Sequence, residues 1–319
     1  MKLTIITTVL MMSFSAMALE VDNYYGEMGN LKDSNEIVNE YINSSFERKL
    51  KSLSPSLLKN PNKCSKIHYK LIKQFRSIIK HKLEGYLEKN LSSEFMHPAK
   101  NVGGRKYFDD SIYDRGRFDI TRIFSMSRNI QINGIVIGTD KLSHFISTGL
   151  RYFNTYKKAL RKGKSQEKAF KKAIHFGVFT ERYILGKMGS GVFSYGDLEA
   201  NFNGLLMNIR FCGDVDNSYL KYINGRWELN SHFDIGEYVN PNWSEVYNRS
   251  FFAKGKWRAV KRNFKKLYCG ENGKILEQKL DFYHSILLEE SFSAKYLRKL
   301  RNTSTLEKLD PKRQKLSCD

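Results

Sequence analysis

Three groups of polar residues in the middle of this chain are of types that can move protons or hold a metal ion. The first is Asp140-Lys141-Leu142-Ser143-His144-Phe145, the second is the isolated carboxylate Glu181, and the third runs from Ser194 through Asp197 and Asn201 to Gly204. Residues four apart on a helix are neighbours, so Asp140 with His144, and Asp197 with Asn201, make two side-by-side pairs on helical segments. An Asp one turn from a His can orient the imidazole as a base, and the two together offer oxygen and nitrogen donors to a divalent transition metal. The candidate catalytic residues are therefore His144, Asp140, Glu181, Asp197 and Asn201, and the candidate metal ligands are His144, Asp140, Glu181 and Asp197. The alternative is an interhelical hydrogen-bond network with no reaction attached to it.

Apolar periodicity supplies the elements that must position these groups. Leu142, Phe145, Ile146, Gly149, Phe153 and Leu160 form one stripe of a helix expected from Asp140 to about Leu160, with Thr139 as its N-cap. Asp140, His144, Ser147 and Arg151 fall on the opposite stripe. A second helix, from about Gln166 to Leu185, has Glu181 inside the apolar stripe of Phe170, Ala173, Ile174, Gly177 and Val178. A carboxylate there is costly unless paired or protonated. The third helix starts at Ser194, where Ser-x-x-Asp has the spacing of a capping box, and Gly204 lets another backbone come close.

The order Asp-Lys-x-x-His-Phe, then a lone helical Glu, then Asp-Leu-x-Ala-Asn-x-x-Gly resembles the pattern of VanZ-like and YfiM-like bacterial envelope proteins over about residues 138–208. The resemblance implies an α-helical envelope protein in which Asp140, His144, Glu181, Asp197 and Asn201 occupy the matching positions. This chain departs from VanZ-like proteins by lacking their several membrane helices, and from both groups by its long basic flanks.

Elsewhere the pattern predicts a mainly α fold, a compact multi-helix bundle with a few short strands or a hairpin. Helices are expected over Asn35 to Leu58, Ser65 to Leu91, the segment holding Trp257, Val260, Phe264 and Leu267, and Leu280 to Leu300. Ile130 to Ile137, broken by Gly134, reads as a strand or a buried lead-in, and Asn224-Gly225 marks a hairpin turn. The expected division is a signal peptide over 1–18, an N-terminal helical region over 19–134 packing on a core over 135–301, and a charged tail over 302–319.

Met1-Lys2, the apolar run from Leu3 to Phe14 and Ala16-Met17-Ala18 have the three parts of a secretory signal peptide, which places the protein in the periplasm or outside the cell. Four cysteines, Cys64, Cys212, Cys269 and Cys318, then allow two disulfides in three pairings. With 54 Lys and Arg against 33 Asp and Glu, the formal net charge is +21. Such a field favours anionic partners. In an exported chain these are phospholipid headgroups or glycans more readily than nucleic acid, and the association is peripheral because no later stretch is apolar enough to span a bilayer. There is no Walker lysine pair, Gly-x-Ser-x-Gly elbow or Cys-x-x-Cys, which argues against nucleotide, acyl-serine and dithiol chemistry. Two functions stay open: a basic envelope-associated protein that binds anionic lipid or glycan, and a periplasmic hydrolase of an envelope substrate.

Overall fold

The computed structural model describes residues 20–76, 81–115, 126–184, 186–213, 216–302 and 314–318. The expected signal peptide lies outside them. Helices dominate, with a few short antiparallel strands. Among the described residues the α-helices of five residues or more are, in chain order, α1 (Asn23–Glu27), α2 (Asn35–Lys51), α3 (Cys64–Lys73), α4 (Lys82–Asn90), α5 (Gly104–Asp109), α6 (Thr139–Ser143), α7 (Gly149–Arg161), α8 (Gln166–Tyr183), α9 (Tyr195–Arg210), α10 (Lys254–Tyr268), α11 (Glu271–Ile286) and α12 (Phe292–Arg301). Among the described residues no helix is long and apolar enough to cross a membrane.

The segment before the site is a strand pair. β1 (Met96–His97), β2 (Asn129–Ile132) and β3 (Ile135–Gly138) form an antiparallel sheet in that order. Asn133 and Gly134 turn the β2–β3 hairpin with φ of 50° and 79°. Positive φ at both central residues matches the right-handed twist of the flanking strands. Asn224 and Gly225 do the same between β5 (Leu220–Ile223) and β6 (Arg226–Leu229). β4 (Val192–Phe193), which lies between those sheets in sequence, pairs with β7 (Phe251–Phe252), which follows both.

Several expected boundaries move. The helix predicted over Ser65 to Leu91 is two helices, α3 and α4, with Ile78 and Ile79 outside the described residues. The one predicted over Asn35 to Leu58 stops at Lys51, and a separate turn begins at Pro55, whose fixed φ and missing N–H suit a helix start. The last predicted helix is also two, because Ser291 caps α12 by accepting from the Ala294 N–H. Gly138, with extended backbone, is the N-cap of α6, and Thr139 is its first helical residue.

Between α6 and α7 the helix widens into a π turn over His144–Thr148, in which the Gly149 N–H reaches the His144 carbonyl five residues back. The expected two-stripe division fails at this start: Asp140, Lys141, Leu142, His144, Phe145 and Ile146 are all buried. The reason is enclosure on every side, by α9, α4 and the β2–β3 hairpin. At the crossing with α9, a Cβ built on Gly204 would lie 1.9 Å from the Phe145 carbonyl oxygen, and one on Gly149 would lie 2.6 Å from the Gly204 Cα. Only paired glycines allow that approach.

The main core spans the chain from Val38 and Phe46 in α2 through Ile130, Ile137 and Phe145 to Trp243. Disulfides join Cys64 to Cys212 and Cys269 to Cys318. The second one anchors residues 314–318, whose Gln314 side chain both accepts from the Phe252 N–H and donates to its carbonyl.

Candidate functional site

Lys141 is the centre of the buried polar cluster. The residue is 1% exposed, and its Nζ lies 2.6 Å from Asp197 Oδ1, 3.1 Å from Asp140 Oδ2 and 3.1 Å from Glu245 Oε1. An ammonium in a dry setting is tolerated only when its charge is compensated at close range. Burial pulls the Lys141 ammonium toward neutrality, but Asp140, Asp197 and Glu245 overcome it and hold its pKa well above the ordinary lysine value.

Three elements bring the carboxylates in. Asp140 sits in the first turn of α6, where the helix dipole favours a negative charge. Asp197 occupies the first turn of α9, and its backbone N–H donates to the capping Ser194 Oγ at 3.1 Å. Glu245 comes from the irregular segment before β7 and is fixed by Tyr113, whose hydroxyl donates to Oε2 at 3.1 Å. The Glu245 N–H donates to Asn23 Oδ1 at 2.9 Å. The capping box at Ser194 is only half formed. Its Oγ caps α9, but its own N–H, which a box would give to Asp197, goes to Glu181 Oε1 at 3.0 Å.

His144, the first residue of the π turn, places Nε2 3.1 Å from Asp197 Oδ2 and Nδ1 3.2 Å from Asn201 Oδ1. One carboxylate thus serves two cations or donors at once, Lys141 through Oδ1 and His144 through Oδ2. Burial pushes the Asp197 carboxyl up, but His144, Lys141 and the Ser194 hydroxyl outweigh that and hold it below the usual aspartate range. Asp140 differs: burial outweighs Lys141, and its pKa rises to about 6.

Glu181 stands one residue removed. It is linked to the cluster through Ser194, whose Oγ has Asp197 Oδ1 at 3.1 Å and Glu245 Oε1 at 3.0 Å as alternative acceptors. A Cβ on Gly186 would lie 2.2 Å from Glu181 Oε1, so the glycine makes room for the carboxyl. Burial and the neighbouring Asp197 charge raise its pKa well above the glutamate value.

Of the residues singled out from sequence, His144, Asp197 and Asn201 therefore meet directly, Asp140 joins them through the shared Lys141 ammonium, and Glu181 joins through Ser194. Asp140, His144 and Asp197 each offer a ligand atom within 4.8 Å of one another. This one-nitrogen, two-oxygen set suits a transition metal, but the Lys141 ammonium bridges the two carboxylates, and an ion would have to displace it. Lys141 and Glu245 are the members that sequence reasoning missed. Lys141 stands inside the Asp-Lys-x-x-His run, and its type there is the only available signal. Glu245 belongs to no periodic element.

The chain matches no protein-family model, no curated protein and no solved structure.

Proposed function

We propose that this is an exported protein that associates peripherally with anionic envelope components, phospholipid headgroups or glycans, through basic helical faces. The observation that carries this reading is the α7–α8 hairpin, where Lys157, Lys158, Arg161, Lys162, Lys164, Lys168, Lys171 and Lys172 face a single carboxylate, Glu167. All are exposed except Lys157 and Lys171, which are half-buried. The two disulfides support residence in an oxidising compartment. In this reading the buried cluster braces α6, α9 and the Glu245 segment. The test is cosedimentation of the oxidised protein with phosphatidylglycerol and phosphatidylcholine vesicles, and retention on an anionic polysaccharide, at 50 and 300 mM salt. Salt-sensitive binding to an anionic surface, unchanged by His144→Ala, is expected. Equal affinity for neutral and acidic surfaces would sink the reading.

One observation favours a second reading, a periplasmic hydrolase acting on an envelope substrate. Asp140 Oδ1 is buried with no hydrogen-bond partner among the described residues, beside a His held by a carboxylate and an amide. In that case His144 serves as base or ligand, Asp197 and Asn201 orient it, Asp140 is a ligand, and Glu181, whose pKa burial raises, is the acid. Metal analysis of protein purified without chelator decides: near-stoichiometric transition metal that disappears in His144→Ala supports the metallohydrolase. An unchanged rate of envelope-substrate hydrolysis in His144→Ala would remove both the metal and metal-free versions.

A further inference from the structure

The outward face of α8 combines cations with exposed apolar side chains, and its composition narrows the choice between lipid and glycan. At 100° per residue, Lys168, Lys171, Lys172, His175, Phe179, Arg182 and Tyr183 fall within an arc of about 120°, while Ala173, Ile174, Gly177 and Glu181 point the other way into the protein. Phe179 is 53% exposed, Tyr183 44% and Ile184, the C-cap residue, 49%. The Phe179 and Tyr183 rings lie 5.1 Å apart, and the Arg182 guanidinium sits 4.6 Å over Tyr183. One end of the helix therefore carries lysines and the other a solvent-facing apolar tip beside an arginine. Its 18 residues span about 27 Å.

We propose that this face docks on an anionic phospholipid bilayer, with Phe179, Tyr183 and Ile184 entering the interface and Lys168, Lys172 and Arg182 meeting headgroup phosphates. The proposal rests on the anionic-surface reading above and selects one of its two partners. Charge complementarity serves either a polyanionic glycan or a lipid headgroup. A phenyl ring and an isoleucine held in water gain little from a charged polysaccharide, whereas a bilayer boundary accepts apolar side chains beneath a layer of phosphates. Aromatic rings flanked by cations are the arrangement that such a boundary stabilises.

The experiment uses the full oxidised protein and F179W. Phosphatidylglycerol vesicles with brominated acyl chains should quench the added indole, measured against the wild-type background of Trp227, Trp243 and Trp257. A second variant, F179S/Y183S/I184S, changes only exposed positions. It should lose about tenfold in partitioning to these vesicles while keeping its helical circular dichroism and its retention on heparin. Cosedimentation without quenching, or undiminished partitioning of the triple variant, would overturn the docking face and leave the anionic-surface reading standing. Retention on heparin with no vesicle binding would assign the partner to glycan and overturn the lipid proposal. Failure to bind either would remove both.

Discussion

Replacing Lys141 by Met keeps most of the length of the side chain and deletes its charge, leaving Asp140, Asp197 and Glu245 facing one another in a dry site. Each contact of 2.6 to 3.1 Å corresponds to about 5 to 6 kcal/mol of attraction at an effective dielectric of 20, before desolvation is subtracted. The measured loss is set by the cheapest escape available to the variant, which is proton uptake. Losing one member of a buried ion pair typically costs about 3–5 kcal/mol, and that is the loss expected at pH 7.5. The pH dependence is the sharper test. Asp140 already titrates at about 6 in the fold because burial outweighs Lys141, and removing the ammonium raises it further. A native state that binds more protons than the unfolded chain loses stability as pH rises. The penalty should therefore shrink to about half by pH 5. Urea titration of the oxidised protein, followed by the fluorescence of Trp243 buried against Phe145, reads both numbers. A loss below 1 kcal/mol at pH 7.5, or one that does not change between pH 5 and 7.5, would refute the view that Lys141 compensates these carboxylates.

Other consequences follow from single contacts. Burial raises Glu27 to about 7 despite its hydrogen bond from Tyr283 and the nearby Lys279, so its native proton uptake subtracts stability from about pH 4.5 upward, fully so above pH 7. Glu27→Gln should therefore match wild type near pH 4.5 and exceed it by about 3 kcal/mol at pH 8 in the same urea assay. Gly204→Ala drives a methyl into the Phe145 carbonyl and should cost about 3 kcal/mol or prevent folding; a fully stable variant would mean the helices can part there. Cys64→Ala with Cys212→Ala opens a link across 148 residues and should lower stability by about 2–5 kcal/mol, while reducing agent should leave the double variant's Cys269–Cys318 contribution as the remaining loss.

What was legible in the sequence was whatever local rules encode. The cap at Ser194, the Asn224-Gly225 turn, the buried carboxylate of Glu181 and the small residue at Gly204 each carry their reason in neighbouring residues, whereas the stretch from Ile130 to Ile137, read as one strand or lead-in, is a hairpin turned at Asn133-Gly134. The pairs Asp140 with His144 and Asp197 with Asn201 were legible as faces, but their convergence depends on how α6 crosses α9, which only the packed core decides. Lys141 was hidden because its three partners come from its own turn, from a helix 56 residues later and from a segment 104 residues later. The break between α3 and α4 was hidden too, since apolar spacing continues across it. The separation of α11 from α12 contains neither Gly nor Pro, and Ser291 alone marks it.

The π turn has a consequence that concerns the number of residues more than their kinds. A helix that accommodates five residues where an α-helix has room for four behaves as though one residue had been inserted, and everything upstream is rotated by about 100° relative to what lies downstream. His144 reaches Asp197 only with that offset in place, because α7 is already locked to α9 by the glycine pair. Deleting one residue between His144 and Thr148 would leave a regular helix of good composition and swing the Asp140 side of the cluster away from α9. Among proteins built on this plan, a length difference of one in this stretch would then separate chains that assemble the cluster from chains that keep its residues but not their meeting point.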